Sequence, residues 1–112
     1  MNWLVYLIRC SDGTLYTGIT TDIERRLREH ATGKGAKYFR GRQPVELLYL
    51  EEGHDRSSAS KREIAIKRLR RTEKDLLPAS TSNSLSRPDF ALSWSPLLRE
   101  VAVRQDPAAT AP

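Results

Sequence analysis

The sequence predicts a small mixed α/β domain. Three observations carry that expectation: a β-hairpin pattern over residues 3–20, a capped amphipathic helix directly behind it, and a later strand followed by a basic helix. The 112 residues allow one domain and leave little room for a second. At 38% apolar and 29% charged, the composition fits a globular chain and is too apolar for a wholly disordered one. The longest uncharged apolar run, Trp3 to Ile8, is six residues, far short of the roughly 20 that a membrane helix needs. No secretory leader pattern is present either, so a cytoplasmic protein without membrane contact is expected. Cys10, the only cysteine, excludes an internal disulfide, and with only two histidines it excludes a zinc finger.

The elements follow in order. Trp3-Leu-Val-Tyr-Leu-Ile8 has the β-branched and aromatic character of a largely buried strand. Ser11-Asp12-Gly13 supplies the turn, because glycine accepts the positive φ of tight hairpin loops. Leu15 to Thr20 is the returning strand, and Gly18 within it marks a place where another backbone or a ligand comes close. Thr21-Asp-Ile-Glu24 has the form of a capping box. The helix it opens carries Ile23, Leu27 and Ala31 as one stripe and stops at Gly33. Residues 33–44 form a basic loop with the aromatic pair Tyr38-Phe39, and Val45 to Leu50 is a third strand. After a loop at Gly53-His54-Asp55, a second helix is expected over Ser57–Leu69, with Ala59, Glu63, Ile66 and Arg70 on one face. Thr72 caps a short third helix, Glu73–Leu77, closed by Pro78. Of the 34 residues from 79 to 112, 18 are Ala, Ser, Thr or Pro, so the chain divides into a domain over 1–78 and an Ala/Ser/Pro-rich extension, partly ordered at most.

Charge is concentrated in the domain. Residues 1–78 carry 16 Lys/Arg against 11 Asp/Glu, whereas the extension carries three of each. Within 61–74 seven basic side chains meet two acidic ones. Such a field attracts polyanions, nucleic acid foremost, although a solvated helix surface would look the same.

Three polar residues fall ten apart: Tyr6 and Tyr16 in the two strands and Arg26 in the capped helix, with His30 four residues further on. The hairpin brings the tyrosines together, and the i,i+4 spacing puts Arg26 and His30 on one helix face. Two phenols, a guanidinium and an imidazole on one surface suit a phosphate diester. Glu63 faces a core stripe and so needs a partner, which a divalent metal or Lys67 four residues on would supply.

Taken together, Val5-Tyr6-Leu7, Tyr16-Thr17-Gly18, Arg26-x-x-x-His30 and the later Glu63 resemble the GIY-YIG nuclease superfamily. The stretch Leu15 to Arg26, the run Gly33-Lys-Gly-Ala-Lys-Tyr38 and the Ala59-x-x-x-Glu63-x-x-x-Lys67-x-Leu69 helix are similar to its small stand-alone bacterial members. The likeness covers roughly residues 2–78 and not the extension. It implies a three-stranded antiparallel sheet flanked by helices and a metal-dependent endonuclease using one Mg²⁺ or Mn²⁺. By that pattern Glu63 holds the metal, Tyr6 is general base or relay for the attacking water, and Tyr16 orients water or phosphate. Arg26 neutralises charge on the phosphoryl oxygens, and His30 partners a tyrosine and eases its deprotonation. An unperturbed phenol is only about 0.1% ionised at pH 7, so Tyr6 needs such help.

Leu4-Val5-Tyr6 lacks the family's first glycine, and the family's late polar residue, often asparagine, has no assigned counterpart, Asn83 lying in the low-complexity stretch. The expected substrate is DNA, with RNA left open, chosen by structure rather than by sequence, in repair or processing. Lys34, Lys37, Arg40 and Arg42 of the loop and Lys61, Lys67, Arg70 and Arg71 of the helix are the expected phosphate contacts. Tyr38 and Phe39 either stack on bases or pack in the core. A monomer or weak dimer is expected. The rival reading is a non-catalytic nucleic-acid-binding module of the same fold.

Overall fold

The apolar run Trp3–Ile8 lies in the middle of a sheet, where both faces of a strand are covered and no alternation of polar residues is needed. The computed structural model describes residues 2–32, 37–39 and 41–86. Strands β1 (Trp3–Cys10), β2 (Leu15–Thr20) and β3 (Pro44–His54) pair antiparallel in the order β2-β1-β3. Helices α1 (Ile23–Ala31), α2 (Arg56–Lys67) and α3 (Arg71–Lys74) complete an α+β fold, with single 3₁₀ turns at Lys37–Phe39, Leu77–Ala79 and Ser84–Ser86. Period-two alternation divides β1 between two cores. Leu4, Tyr6, Ile8 and Cys10 pack with Ile23 and Leu27 of α1, Phe39 and Leu50. Val5 and Leu7 pack with Tyr49, Ala59 and Ile66 of α2, and Leu77.

The hairpin turns where the sequence places it. Gly13 has φ +84°, and Asp12 Oδ1 accepts from the Thr14 amide at 3.1 Å and from its hydroxyl at 2.6 Å. Arg42 Nε donates to Asp12 Oδ2 at 2.6 Å and Arg71 to the Gly13 carbonyl at 2.8 Å, so two distant segments clamp this turn. The bonds from Thr14, and then that from Arg42, hold the Asp12 carboxyl at about 2.

Several element ends differ from the sequence expectation. Asp22, not Thr21, caps α1: its Oδ1 accepts from the Arg25 amide at 3.1 Å, while the Thr20 hydroxyl accepts from the Asp22 amide. The third buried position of α1 is then His30 and not Ala31, because i+7 returns to the helix face of Ile23 while i+8 has rotated off it. α1 ends with Thr32 as its C-cap, and Gly33 lies outside the described residues. β3 runs on through Gly53 (φ +85°) to His54, so His54 ends a strand and does not sit in a loop. It bonds Glu51 at 2.6 Å and Ser58 at 2.8 Å. α2 starts one residue earlier than expected, because Asp55 and Ser58 form a reciprocal capping box, and it ends at Lys67 rather than Leu69. Arg70 consequently leaves the face shared by Ala59, Glu63 and Ile66 and precedes α3, its amide donating to Glu73 Oε1 at 2.9 Å.

The first part of the extension packs on β3. Asn83 is 4% exposed, and its Oδ1 accepts from the Leu50 amide at 3.2 Å and the Leu85 amide at 3.1 Å. Its Nδ2 donates to the Pro78 carbonyl at 3.0 Å. Ser82 Oγ meets the Tyr49 phenol at 2.7 Å. Asn83 therefore ties backbone to backbone, with both ends of its amide occupied. The later apolar residues Phe90, Leu92, Trp94, Leu97, Leu98, Val101 and Val103 lie outside the described residues.

Replacing Asn83 by Ala strands a buried strand amide and a carbonyl, and is expected to cost about 1–3 kcal/mol. Urea denaturation checks this, with Thr81→Ala, at an exposed neighbouring site, expected to change stability by less than about 0.5 kcal/mol.

Candidate active site

Tyr6 is the polar exception on a buried strand, 1% exposed at the middle of β1. Its register partner is Gly18, and a Cβ placed there would come within 2.5 Å of Tyr6 Cζ and 2.9 Å of Cε2. The group that needs a glycine at position 18 is thus the Tyr6 ring, neither a backbone nor a ligand as the sequence alone suggests. Tyr16 pairs with Ile8, so it stands diagonal to Tyr6 and not directly across, with ring centroids 6.1 Å apart.

α1 delivers the other two groups. Its buried stripe carries His30 inward, where Nε2 lies 2.8 Å from Tyr6 Oη in a bond with no solvent access. The imidazole packs on Phe39 at 4.2 Å between centroids and meets Tyr16 edge-on at 5.4 Å. Phe39 is 4% exposed and forms a wall of this box, which assigns it to the core and not to base stacking. The side chain of Tyr38 lies outside what is described. Arg26, one turn before His30, stands half-buried at the rim, its charge acting on Tyr6, and is paired with Glu29 Oε1 at 3.1 Å. Glu29 went unnoticed in the sequence, although its i,i+3 spacing from Arg26 is readable there.

Burial pushes the Tyr6 phenol well above its ordinary value, the nearby Tyr16 adds to this, and Arg26 works against both. Burial, and then the Arg26 charge, push His30 down to about 4. The ring is therefore neutral at pH 7.

Glu63 lies on α2. Its helix neighbours Ala59 and Ile66 belong to the core on the other face of the sheet, and α2 packs on β1 and β2. The Glu63 side chain is 22% exposed and pairs with Lys67 Nζ at 3.4 Å. The structure thus brings Tyr6, Tyr16, Arg26 and His30 together and leaves Glu63 with the alternative partner that the sequence offered. Among the described residues no group of three or more His, Cys, Asp or Glu is placed to hold a metal. One half-exposed carboxylate fits a hard ion such as Mg²⁺, which keeps several waters and binds through one or two carboxylates plus substrate phosphate. It does not fit a cage of imidazole or thiolate ligands.

Of the expected phosphate contacts, Lys34 and Arg40 lie outside the described residues, while Lys37, Lys61, Lys67 and Arg70 are exposed. Arg42 and Arg71 are engaged in clamping the hairpin turn, and Arg71 also pairs with Asp75 at 3.0 Å. No helix among the described residues is long and apolar enough to cross a membrane.

Comparison with known proteins adds an independent line. Residues 2–75 match the GIY-YIG catalytic domain. The chain is similar to UPF0213 protein DP2720 of Desulfotalea psychrophila, 54% identical over 85 residues, covering 75% of this chain and 77% of that one. It is also similar to UPF0213 protein VNG_2274C of Halobacterium salinarum, 55% identical over 73 residues, covering 65% and 95%. Among solved structures, the solution structure of UPF0213 protein BH0048 from Bacillus halodurans is 41% identical, covers 76% of this chain and 90% of that one, and superposes with a TM-score of 0.47.

Gly18→Ala is expected to drive the Tyr6 ring from its place and cost about 1–3 kcal/mol by overpacking. Denaturant unfolding measures the loss, and displaced Phe39 and His30 ring resonances in NMR spectra would locate it. A second expectation concerns pH. Unfolded, the His30 imidazole takes up a proton near pH 6.5, and folded only near 4, so between these values the unfolded state holds more protons and stability rises with pH. Its contribution, about 3 kcal/mol, is complete above pH 6.5 and is lost as pH falls towards 4. Unfolding midpoints from pH 7 to 4 should show this slope in the wild type and not in His30→Phe.

Proposed function

The chain belongs to the GIY-YIG family, and from that premise we propose that it is an endonuclease hydrolysing phosphodiester bonds in DNA, selected by structure rather than by sequence. The observation that carries the reading is the convergence of Tyr6, Tyr16, Arg26 and His30, drawn from two strands and a helix, on one box of side chains. Hydrolysis forms a bond from a water oxygen to phosphorus and breaks one P–O ester bond. The water's proton must leave and the departing oxygen must gain one. Arg26 at the rim meets the negative charge that develops on the non-bridging oxygens. Tyr6 passes a proton onward more readily than it stands as a free phenolate, since burial raises it. Tyr16, its diagonal neighbour, orients water or phosphate. Glu63 would hold one Mg²⁺ or Mn²⁺, which when bound supplies Lewis-acid polarisation of the phosphate and stabilisation of the leaving oxygen.

Phosphate contacts along the substrate fall to the exposed Lys37, Lys61, Lys67 and Arg70. Arg42 and Arg71 serve the hairpin turn instead. A role in DNA repair or processing, within the cytoplasm, is consistent with selection by structure. The rival, a binding module of the same fold, draws on one observation: Lys67 already occupies Glu63, and a metal would have to compete with it.

The test is cleavage of labelled single-stranded, duplex, flap and four-way-junction DNA and one RNA, with Mg²⁺, Mn²⁺ or EDTA. Metal-dependent cutting is expected, falling by about 10²-fold or more in Glu63→Ala, Tyr6→Phe and Arg26→Ala while binding is kept. Cutting that survives Glu63→Ala and Tyr6→Phe would overturn the assignment. Salt-sensitive binding without cutting would establish the binding module.

A further inference from the structure

His30 carries an unexplained feature. Its Nδ1 is enclosed and has no hydrogen-bond partner among the described residues, while Nε2 is bonded to Tyr6. A neutral imidazole has one N–H and one lone pair, and the bond to Tyr6 uses whichever Nε2 carries. With the proton on Nδ1, the structure would hold a buried N–H with nothing to receive it. With the proton on Nε2, the donor is spent on Tyr6 Oη and only a lone pair is left orphaned at Nδ1. Orphaned buried donors are rarer than orphaned acceptors. From this geometry we propose that His30 is held as its Nε2–H tautomer and donates to Tyr6, a positioning residue that cannot receive the phenol's proton.

The surroundings of Tyr6 agree with that direction. Arg26, which can only donate, acts on the same phenol, and the Tyr16 ring lies 6.1 Å away between centroids. A donor at His30 and a cation at Arg26 both favour the ionised form of the phenol. The low basicity of the buried ring supports the same conclusion. Phe39 stacked at 4.2 Å and Tyr16 edge-on at 5.4 Å hold the imidazole in this pose. The assignment gives the expected partnership of His30 with a tyrosine its direction: His30 eases deprotonation by donating a hydrogen bond. Its catalytic consequence rests on the nuclease reading, whereas its structural content does not.

Long-range ¹H–¹⁵N correlation spectra of the ¹⁵N-labelled full chain at pH 7, without metal or nucleic acid, test the tautomer directly. The His30 ring is assigned through its contact with Phe39. The expected result is a pyrrole-type Nε2 and a pyridine-type Nδ1, with the other tautomer at about a tenth or less. A pyrrole-type Nδ1, averaged shifts or an imidazolium would overturn the proposal whether or not the protein cleaves DNA. If it cleaves, His30→Leu should lose about 10²-fold and His30→Gln, which restores an N–H donor without a base, should regain most of it. Glutamine as poor as leucine would overturn the positioning role.

Discussion

A phenol in the middle of a strand buried on both faces is the constraint from which much of this structure follows. Tyr6 can lie flat against β2 only where the opposing residue lacks a Cβ, and Gly18 is that residue. Slipping the hairpin by one position would set Thr17 or Ile19 there, each with a branched side chain. The ring thus fixes register as firmly as the hydrophobic alternation does. Once buried, its hydroxyl must be bonded. α1 supplies the partner, which requires His30 on the inward stripe with Ile23 and Leu27. The Asp22 cap sets that phase, and Arg26 then emerges at the rim one turn earlier.

The sheet also separates two tasks. One face holds the aromatic box, and the other is packed by α2, which carries Glu63. α2 rests on β1 and β2, the two strands that carry the tyrosines. The cations are divided in a similar way. Arg42 and Arg71 reach the β1–β2 turn from beyond the first helix and from α3, so part of the positive charge at the turn is structural and already compensated. Exposed lysines carry the rest. A count of basic residues therefore overstates what remains for a polyanion.

Much of this was legible in the sequence because it rests on local pattern. The hairpin, its glycine turn, the helix–strand–helix order and the grouping of Tyr6, Tyr16, Arg26 and His30 follow from spacing and periodicity. What escaped depends on contacts between distant segments. Asn83 sits among serines and threonines, and only the approach of residues 80–86 to β3 turns it into a bridge between Leu50, Leu85 and Pro78. Arg42 and Arg71 look like solvated charges until the chain closes and places a carboxylate and a carbonyl beside them. Thr21 and Asp22 are both capping types, and the choice between them depends on the Thr20 hydroxyl, which occupies the Asp22 amide. Phe39 offers a core reading and a base-stacking reading until His30 is seen beside it.

The site resolves a conflict between burial and charge. Desolvation drives both His30 and Tyr6 towards their neutral forms, so a box built from them alone would offer a phosphate no charge at all. Arg26 supplies the fixed cation, and its position at the rim keeps it reachable. Its ion pair with Glu29 is open to solvent in part, with side chains 30% and 37% accessible, and solvent-screened pairs are worth at most about 1 kcal/mol. Glu29 therefore orients the guanidinium without neutralising it. A buried carboxylate in the same place would cancel the charge and resist exchange, because leaving it unpaired is costly. With the pair at the rim and the uncharged phenol and imidazole inside, an anion could replace Glu29 at little cost while the two rings stay fixed behind it.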